Sequence, residues 1–304
     1  MRYGARMIDS VKARWPAEAW EIWDAAALEA SSRGWLDKQL AWRTDEAFAK
    51  GFAEGVPVAG ATQADYLQRE IEVGESRVLA GIRFMGQRRL MPFVDLVAWD
   101  GPEPDASAAA EVVRREFAVF EPRALRVLRV GEPAAEGVRL DQSVHAARAG
   151  DFADGDVEAG VALIGWDEPE AAAELVGETY AAMGEAFCEA VVPATAEGLR
   201  DCAADGTLCR IEVGGEVAGV WATEPGKVEF LPGQIVVEEV LVERFRGRGL
   251  ARSVQRLGAR LLPAETVLLG TIDRINEASR KTATRAGRPE VMRFSLVECR
   301  AGGC

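Results

Sequence analysis

Apolar residues recur at helical spacing from Ala17 to Ala30, and the first 50 residues read as helix-rich. Five of the eight tryptophans fall there (Trp15, Trp20, Trp23, Trp35 and Trp42) and read as core or inter-domain anchors rather than a ligand cage. Val78 to Phe84 and Phe93 to Trp99 read as strands on either side of a polar break at Gln87 to Arg89. A helix follows over Ala106 to Phe120, with Asp105 as its N-cap, and then a strand over Ala124 to Val130. Gly131 to Gly160 is rich in Gly, Ala, Asp and Glu, with little apolar periodicity beyond Val138 to Val144, so the spacing puts a domain boundary there. The second half opens with a strand over Val161 to Trp166, helices over Pro169 to Phe187 and Ala194 to Ala204, and a hairpin of Leu208 to Val213 with Glu216 to Thr223 across Gly214-Gly215. It ends with a strand over Gln234 to Val242, a helix over Arg248 to Leu262, a strand over Val267 to Asp273, a helix over Asn276 to Ala286 and a strand over Val291 to Cys299. This is a mixed α/β order, and the first half repeats its last part. Two copies of one fold are expected, as domains 1–150 and 151–304.

Composition narrows the function. The 304 residues include 48% hydrophobic and 28% charged side chains, an ordinary globular balance, and that length suits two domains. No run approaches the roughly 18 to 20 apolar residues of a membrane span, and Met1 to Ser10 lacks the apolar block of a signal peptide, so a cytoplasmic protein is expected. Five cysteines (Cys188, Cys202, Cys209, Cys299 and Cys304) show no paired spacing and read as reduced packing residues. The single histidine, His145, argues against zinc hydrolases, histidine triads and non-haem iron sites, and no metal is expected. With 36 Lys and Arg against 49 Asp and Glu, the net charge of −13 also argues against a nucleic-acid partner.

One segment reverses that charge. An apolar strand enters Arg246-Gly247-Arg248-Gly249-Leu250-Ala251 and continues into a helix with an apolar stripe at Leu250, Val254, Leu257 and Leu261. Six arginines and no acid lie between Arg244 and Arg260. A helix start leaves backbone N–H groups unpaired and carries a partial positive charge, so an anion suits it; glycines let the backbone approach a phosphate, and arginines add charge-assisted bonds. The turn is neither a P-loop nor a GxGxxG fingerprint.

Here the sequence resembles the GNAT superfamily of acyl-CoA-dependent N-acetyltransferases. The family signature of Gln or Arg, two residues, Gly, one residue, and Gly or Ala is met by Arg246, Gly249 and Ala251, and Asn276 opens the helix after the next strand. The resemblance covers Val161 to Cys299 and implies a GNAT-like mixed α/β fold, duplicated in tandem if the first half is a degenerate copy. That half has Asp100-Gly101-Pro102-Glu103-Pro104-Asp105 where the phosphate turn would be. The resemblance also implies that acetyl-CoA places its pyrophosphate against the amides of Gly247, Arg248, Gly249, Leu250, Ala251 and Arg252, with its pantetheine beside Val240, Leu241 and Val242. A backbone N–H at Leu241 or Val242 would polarise the acyl carbonyl, and Asn276 would bond the pantetheine arm. Many members have a tyrosine seven residues after the Asn as general acid; that position is Ala283, and no tyrosine follows Tyr180. An aromatic usually follows the glycine after that helix, where Arg288 stands.

Glu238 and Glu239, inside an apolar strand, are candidate general bases; alternation lets only one of them face an acceptor, and an edge or inter-domain salt bridge accounts for either equally well. The expected activity is acetyl transfer from acetyl-CoA to an amine by direct attack in a ternary complex. A non-catalytic acyl-CoA-binding or sensor protein is the alternative, and an RNA-binding arginine face a weaker third, with Phe245 its one flanking aromatic. The acidic remainder of the chain favours a cationic small-molecule or peptide amine, with no membrane partner, in a monomer or homodimer.

Overall fold

The structure is a computed structural model, which describes residues 4–87, 91–131 and 137–299. Its helical N-terminus contains α1 (Gly4–Lys12), α2 (Ala19–Ile22), α3 (Ala25–Ala41) and α4 (Glu46–Gly55). Then come β1 (Arg69–Val73), β2 (Ser76–Phe84), β3 (Pro92–Asp100), α5 (Ala106–Glu116), β4 (Ala124–Arg129), β5 (Val138–Arg148) and α6 (Ala149–Phe152). The rest comprises β6 (Val161–Gly165), α7 (Pro169–Ala181), α8 (Glu185–Ala190), α9 (Ala196–Ala204), β7 (Leu208–Val213), β8 (Glu216–Val228), β9 (Leu231–Leu241), α10 (Leu250–Arg260), β10 (Val267–Asp273), α11 (Glu277–Ala286) and β11 (Glu290–Glu298). The fold class is mixed α/β. Among the described residues no helix is long and apolar enough to cross a membrane. Arg88 and Arg89 of the polar break and Cys304 lie outside the described residues; Cys188, Cys202, Cys209 and Cys299 are free thiols.

The chain forms two compact units, with changeovers inside β5, after Gln142, and inside β11, after Val291. The expected division at residue 150 differs in two ways. The break falls eight residues earlier, and the segment from Met292 onward belongs with the first unit. Within the stretch read as a boundary, Val138–Arg148 is a strand whose buried positions include Asp141, Ser143 and His145, so its inward face does not register as apolar. Glu21–Trp23 joins the second unit, where Trp23 Nε1 donates to the Pro232 carbonyl at 2.8 Å.

In the first unit β1, β2 and β3 are antiparallel, β4 is parallel to β3, and β11 closes the sheet antiparallel to β4 from Arg293↔Arg129 to Glu298↔Ala124. Asp105 caps α5 by accepting from the Ala108 N–H, as the sequence predicts. Tyr66, Ile82, Phe117, Phe120 and Leu125 anchor the core.

In the second unit β6, β7, β8 and β9 form an antiparallel run, and β10 lies parallel to β9. One core holds Ile211, Trp221, Phe245, Leu250, Val254 and Leu268; a second holds Trp166, Val176, Tyr180, Leu199, Val220 and Val240. Of the predicted stripe on α10, Leu250 and Val254 are buried, whereas Leu261 caps the helix and is 59% exposed. Gly258 is buried on the same helix because a β-carbon there would run into the Trp221 ring.

Candidate active site

β9 and β10 pair at Gln234↔Leu268 and Ile235↔Leu269 and the register stops there, although β9 runs to Leu241 and β10 to Asp273. The two strands splay. On its other side β9 stays bonded to β8, and the Val242 N–H donates to the Ala218 carbonyl at 2.9 Å. Alternate residues of an antiparallel ladder turn their N–H and C=O toward the partner strand, so those of Leu241 face the splay. Leu241, rather than Val242, is therefore the residue with a backbone donor directed there. Its carbonyl accepts Arg246 Nε at 2.7 Å.

The turn follows at once. Gly247 (φ 71) and Gly249 (φ 76) both take left-handed backbone, which glycine adopts without strain, and a β-carbon at either would meet nothing within 4 Å. Gly249 is the N-cap of α10, no side chain caps it, and the first turn carries no acid. The helix therefore presents uncapped N–H groups and the positive end of its dipole. A cleft of about 1010 Å³ opens there, lined on one side by Arg246, Gly247, Gly249, Leu250, Ala251 and Arg252 and along the strand by Glu239, Val240 and Leu241. Asn276 and the start of α11 close another wall, and Met183 and Phe187 a third.

The arginines divide into distinct roles. Arg246 reaches back to Leu241 and to the Thr179 carbonyl, so it braces the turn against the strand. Arg248 lies over the Phe245 ring and is not among the residues lining the cleft. Arg256 and Arg260 donate to the carbonyls of Asp156, Ala153 and Gly155, so much of the expected phosphate stripe ties down a neighbouring loop. Arg252 borders the cleft with its Nε buried and unpartnered. Lys281 and Arg285 of α11 also line it, two cations the sequence reading misses. Their i, i+4 spacing on a helix opened by Asn276 was the available signal. Asn276 itself caps α11, its Oδ1 accepting from the Ser279 N–H at 3.2 Å. Val242 does not line the cleft.

The two carboxylates part company. Glu238 is 4% exposed and accepts from the Tyr180 hydroxyl and from the Ala194 and Glu239 N–H groups. Burial pushes its carboxyl up while those three donors pull it down. All its bonds go to structural partners, which makes it an anchor for the chain between α7 and α9. Burial and the Glu238 charge also hold the Tyr180 phenol well above its usual range. Glu239 faces α10 and lines the cleft; Gln255 Nε2 donates to its Oε2 at 2.7 Å, and its Oε1 is enclosed without a partner. Burial raises it to about 7, against the pull of Arg288 and the Gln255 bond. Ala283, at the family's tyrosine position, is fully buried. Among the described residues no group of three or more His, Cys, Asp or Glu is arranged to hold a metal.

The first unit contains a related pair of parallel strands. β3 and β4 pair from Phe93↔Ala124 to Leu96↔Val127, and β3 runs on to Asp100. The helical N-terminus fills the next stretch: Arg14 Nη2 donates to the Val97 carbonyl at 2.6 Å, and Ser10 Oγ accepts from the Trp99 N–H at 3.0 Å. The Arg14 guanidinium lies 5.0 Å from the Trp99 ring centroid.

No family model matches the chain, and no curated protein matches it in sequence. Solved structures similar to it include GNAT acetyltransferases. A GCN5-related N-acetyltransferase from Sphaerobacter thermophilus is 14% identical, with 74% of this chain and 78% of that one covered at a TM-score of 0.48. A GNAT-family acetyltransferase from Colwellia psychrerythraea is 11% identical over 86% and 96% of the two chains, at 0.49. A tandem GNAT protein from the clavulanic acid biosynthesis pathway is 13% identical over 86% and 98%, at 0.40.

Proposed function

We propose that the chain is a GNAT-type N-acetyltransferase that moves an acetyl group from acetyl-CoA to an amine by direct attack in a ternary complex. The observation that carries this reading is the coincidence, in one cleft, of the Leu241 N–H facing a strand splay and the uncapped, glycine-flanked start of α10. These residues fit the cosubstrate: free N–H groups at Leu250 to Arg252, the unpartnered Arg252 Nε, and the nearby Lys281 and Arg285 suit its phosphates. Acetyl-CoA would supply an activated thioester. Leu241 would hold the acyl oxygen through its N–H, a contact that strengthens as charge grows on that oxygen. Asn276 would border the pantetheine arm, its Oδ1 being taken up by the helix cap.

An amine attacks only when neutral, so the site needs a proton acceptor. Glu239 lines the cleft, and its value of about 7 lets it both accept and release a proton near neutral pH. Glu238, committed to three structural donors, serves instead to place the chain between α7 and α9. No side chain replaces the general acid at Ala283; a CoA thiolate leaves readily enough to need none. The first unit is proposed as a degenerate copy, with the Arg14 and Ser10 side chains where a ligand arm would lie. A cytoplasmic setting and a cationic acceptor remain part of this reading, from the chain's acidity. The purified protein should release CoA thiol from acetyl-CoA in the presence of a polyamine, aminoglycoside or amino-acid panel, and Gly249→Glu should abolish release. Acetyl-CoA binding without thiol release on any amine would favour the second reading, a non-catalytic acyl-CoA-binding protein, which the fully buried Ala283 supports.

A further inference from the structure

Beside Glu239 lies a group of buried polar side chains that the proposed chemistry leaves unused. Gln255 of α10 donates to Glu239 Oε2 and accepts Arg288 Nε on its own Oε1 at 3.2 Å, so one amide spans a carboxyl and a guanidinium. Arg288 is 2% exposed and held through both of its backbone groups: its N–H donates to the Ala283 carbonyl at 2.9 Å, and its carbonyl meets His145 Nδ1 at 3.0 Å. His145 Nε2 in turn meets Ser143 Oγ at 3.0 Å. Gly287 (φ 116) sets the turn that drives Arg288 inward, and a β-carbon on it would run into Phe152. Both Arg288 Nη1 and Glu239 Oε1 are enclosed without a partner. A carboxyl–amide–guanidinium chain with enclosed, unsatisfied atoms at both ends is a poor stabiliser, since burying charge costs more than imperfect pairing returns. Its presence at the wall of the cleft therefore points to a role in the site.

We infer that Arg288 and Gln255 are positioning residues for Glu239: the amide fixes the carboxyl by holding Oε2, and the guanidinium supplies the counter-charge for its ionised form at the wall of the cleft. This rests on Glu239 being the base of the proposed reaction. Each partner bears the mark of the other. The Glu239 charge opposes the burial that lowers Arg288 to about 10, and the Arg288 charge opposes the burial that raises Glu239. The groups acting on Glu239 are Glu238 on β9, which opposes its ionisation, Gln255 on α10, and Arg288 after α11. One step further out, burial and the Arg288 and Arg280 charges pull His145 on β5 below its ordinary value, against the bond to the Arg288 carbonyl and the charge of Glu290 at the start of β11.

The test follows Glu239 directly. The whole chain is labelled with carboxyl-¹³C glutamate, the Glu239 resonance is assigned by its loss in Glu239→Gln, and its titration is recorded without any substrate. The wild-type midpoint is expected at about 7. Arg288→Met and Gln255→Met should each raise it by about 1 unit or more, and Arg288→Lys should bring it most of the way back. The acid limb of the thiol-release pH profile should move by the same amount. An unmoved midpoint in either folded methionine variant overturns the inference, and Gln255→Met decides the matter if Arg288→Met does not fold. A midpoint that moves while the rate profile stays put instead removes Glu239 as the base, the premise on which the positioning role rests.

Discussion

Replacing Glu239 by Gln keeps the shape of the side chain and deletes one ionisation. Enclosure lifts this carboxyl from an ordinary 4.5 to about 7, so between those pH values the folded protein holds a proton that the unfolded chain has released. Where the folded state binds more protons, stability falls as pH rises. At about 1.4 kcal/mol per pH unit, the rise amounts to about 3 kcal/mol once pH passes 7, a large part of a typical unfolding free energy. Glutamine does not titrate. Urea unfolding of both proteins from pH 4.5 to 8.5 measures the difference: the two should be close at pH 4.5, and the variant should become more stable by about 3 kcal/mol at pH 8. A difference that does not drift with pH would refute the enclosure of Oε1. A drift of opposite sign would mean that the ionised form is the favoured one, held by Arg288.

Further outcomes follow from single contacts. Gly258→Ala should cost about 1 to 3 kcal/mol, because the new β-carbon runs into the Trp221 ring; an unchanged melting temperature would contradict this packing. Arg14→Ala should cost about 1 to 3 kcal/mol by leaving the Val97 carbonyl unpaired, while acetyl-CoA stoichiometry stays at one per chain; a second equivalent bound would refute the degenerate reading of the first unit. The rate with a cationic acceptor should fall as salt rises from about 10 mM to 0.5 M, given the net charge of −13; an anionic acceptor, or a rate indifferent to salt, would assign the acidity to solubility alone.

Local signals were strongest where one residue type had one physical reading. β10 runs from Val267 to Asp273 as its apolar block predicts, Asp105 and Asn276 cap the helices they precede, and the hairpin turns at Gly214-Gly215. β5 escaped because its inward face includes Asp141, Ser143 and His145, polar residues whose burial depends in part on chain far away in sequence, such as the Arg288 carbonyl that meets His145. The last strand was assigned to the wrong half for a similar reason: β4 is its partner, and nothing between Ala124 and Glu298 along the chain announces that pairing. The arginine count around α10 was visible, but the destination of each side chain was not. Arg256 and Arg260 reach carbonyls about a hundred residues upstream, and Arg246 turns back on its own strand. Glu238 and Glu239 are indistinguishable in sequence, and strand alternation sends one to Tyr180 and the other to Gln255.

The most direct measurement is calorimetric titration of the purified chain with acetyl-CoA, beside the same titration of Gly249→Glu. At Gly249 a side chain meets open space, so the variant should fold with a penalty of about 1 to 2 kcal/mol for its left-handed backbone, while its carboxylate faces the phosphates. The account predicts one equivalent bound by the wild type and none by the variant. No heat with the wild type, or equal affinity in the folded variant, would contradict it.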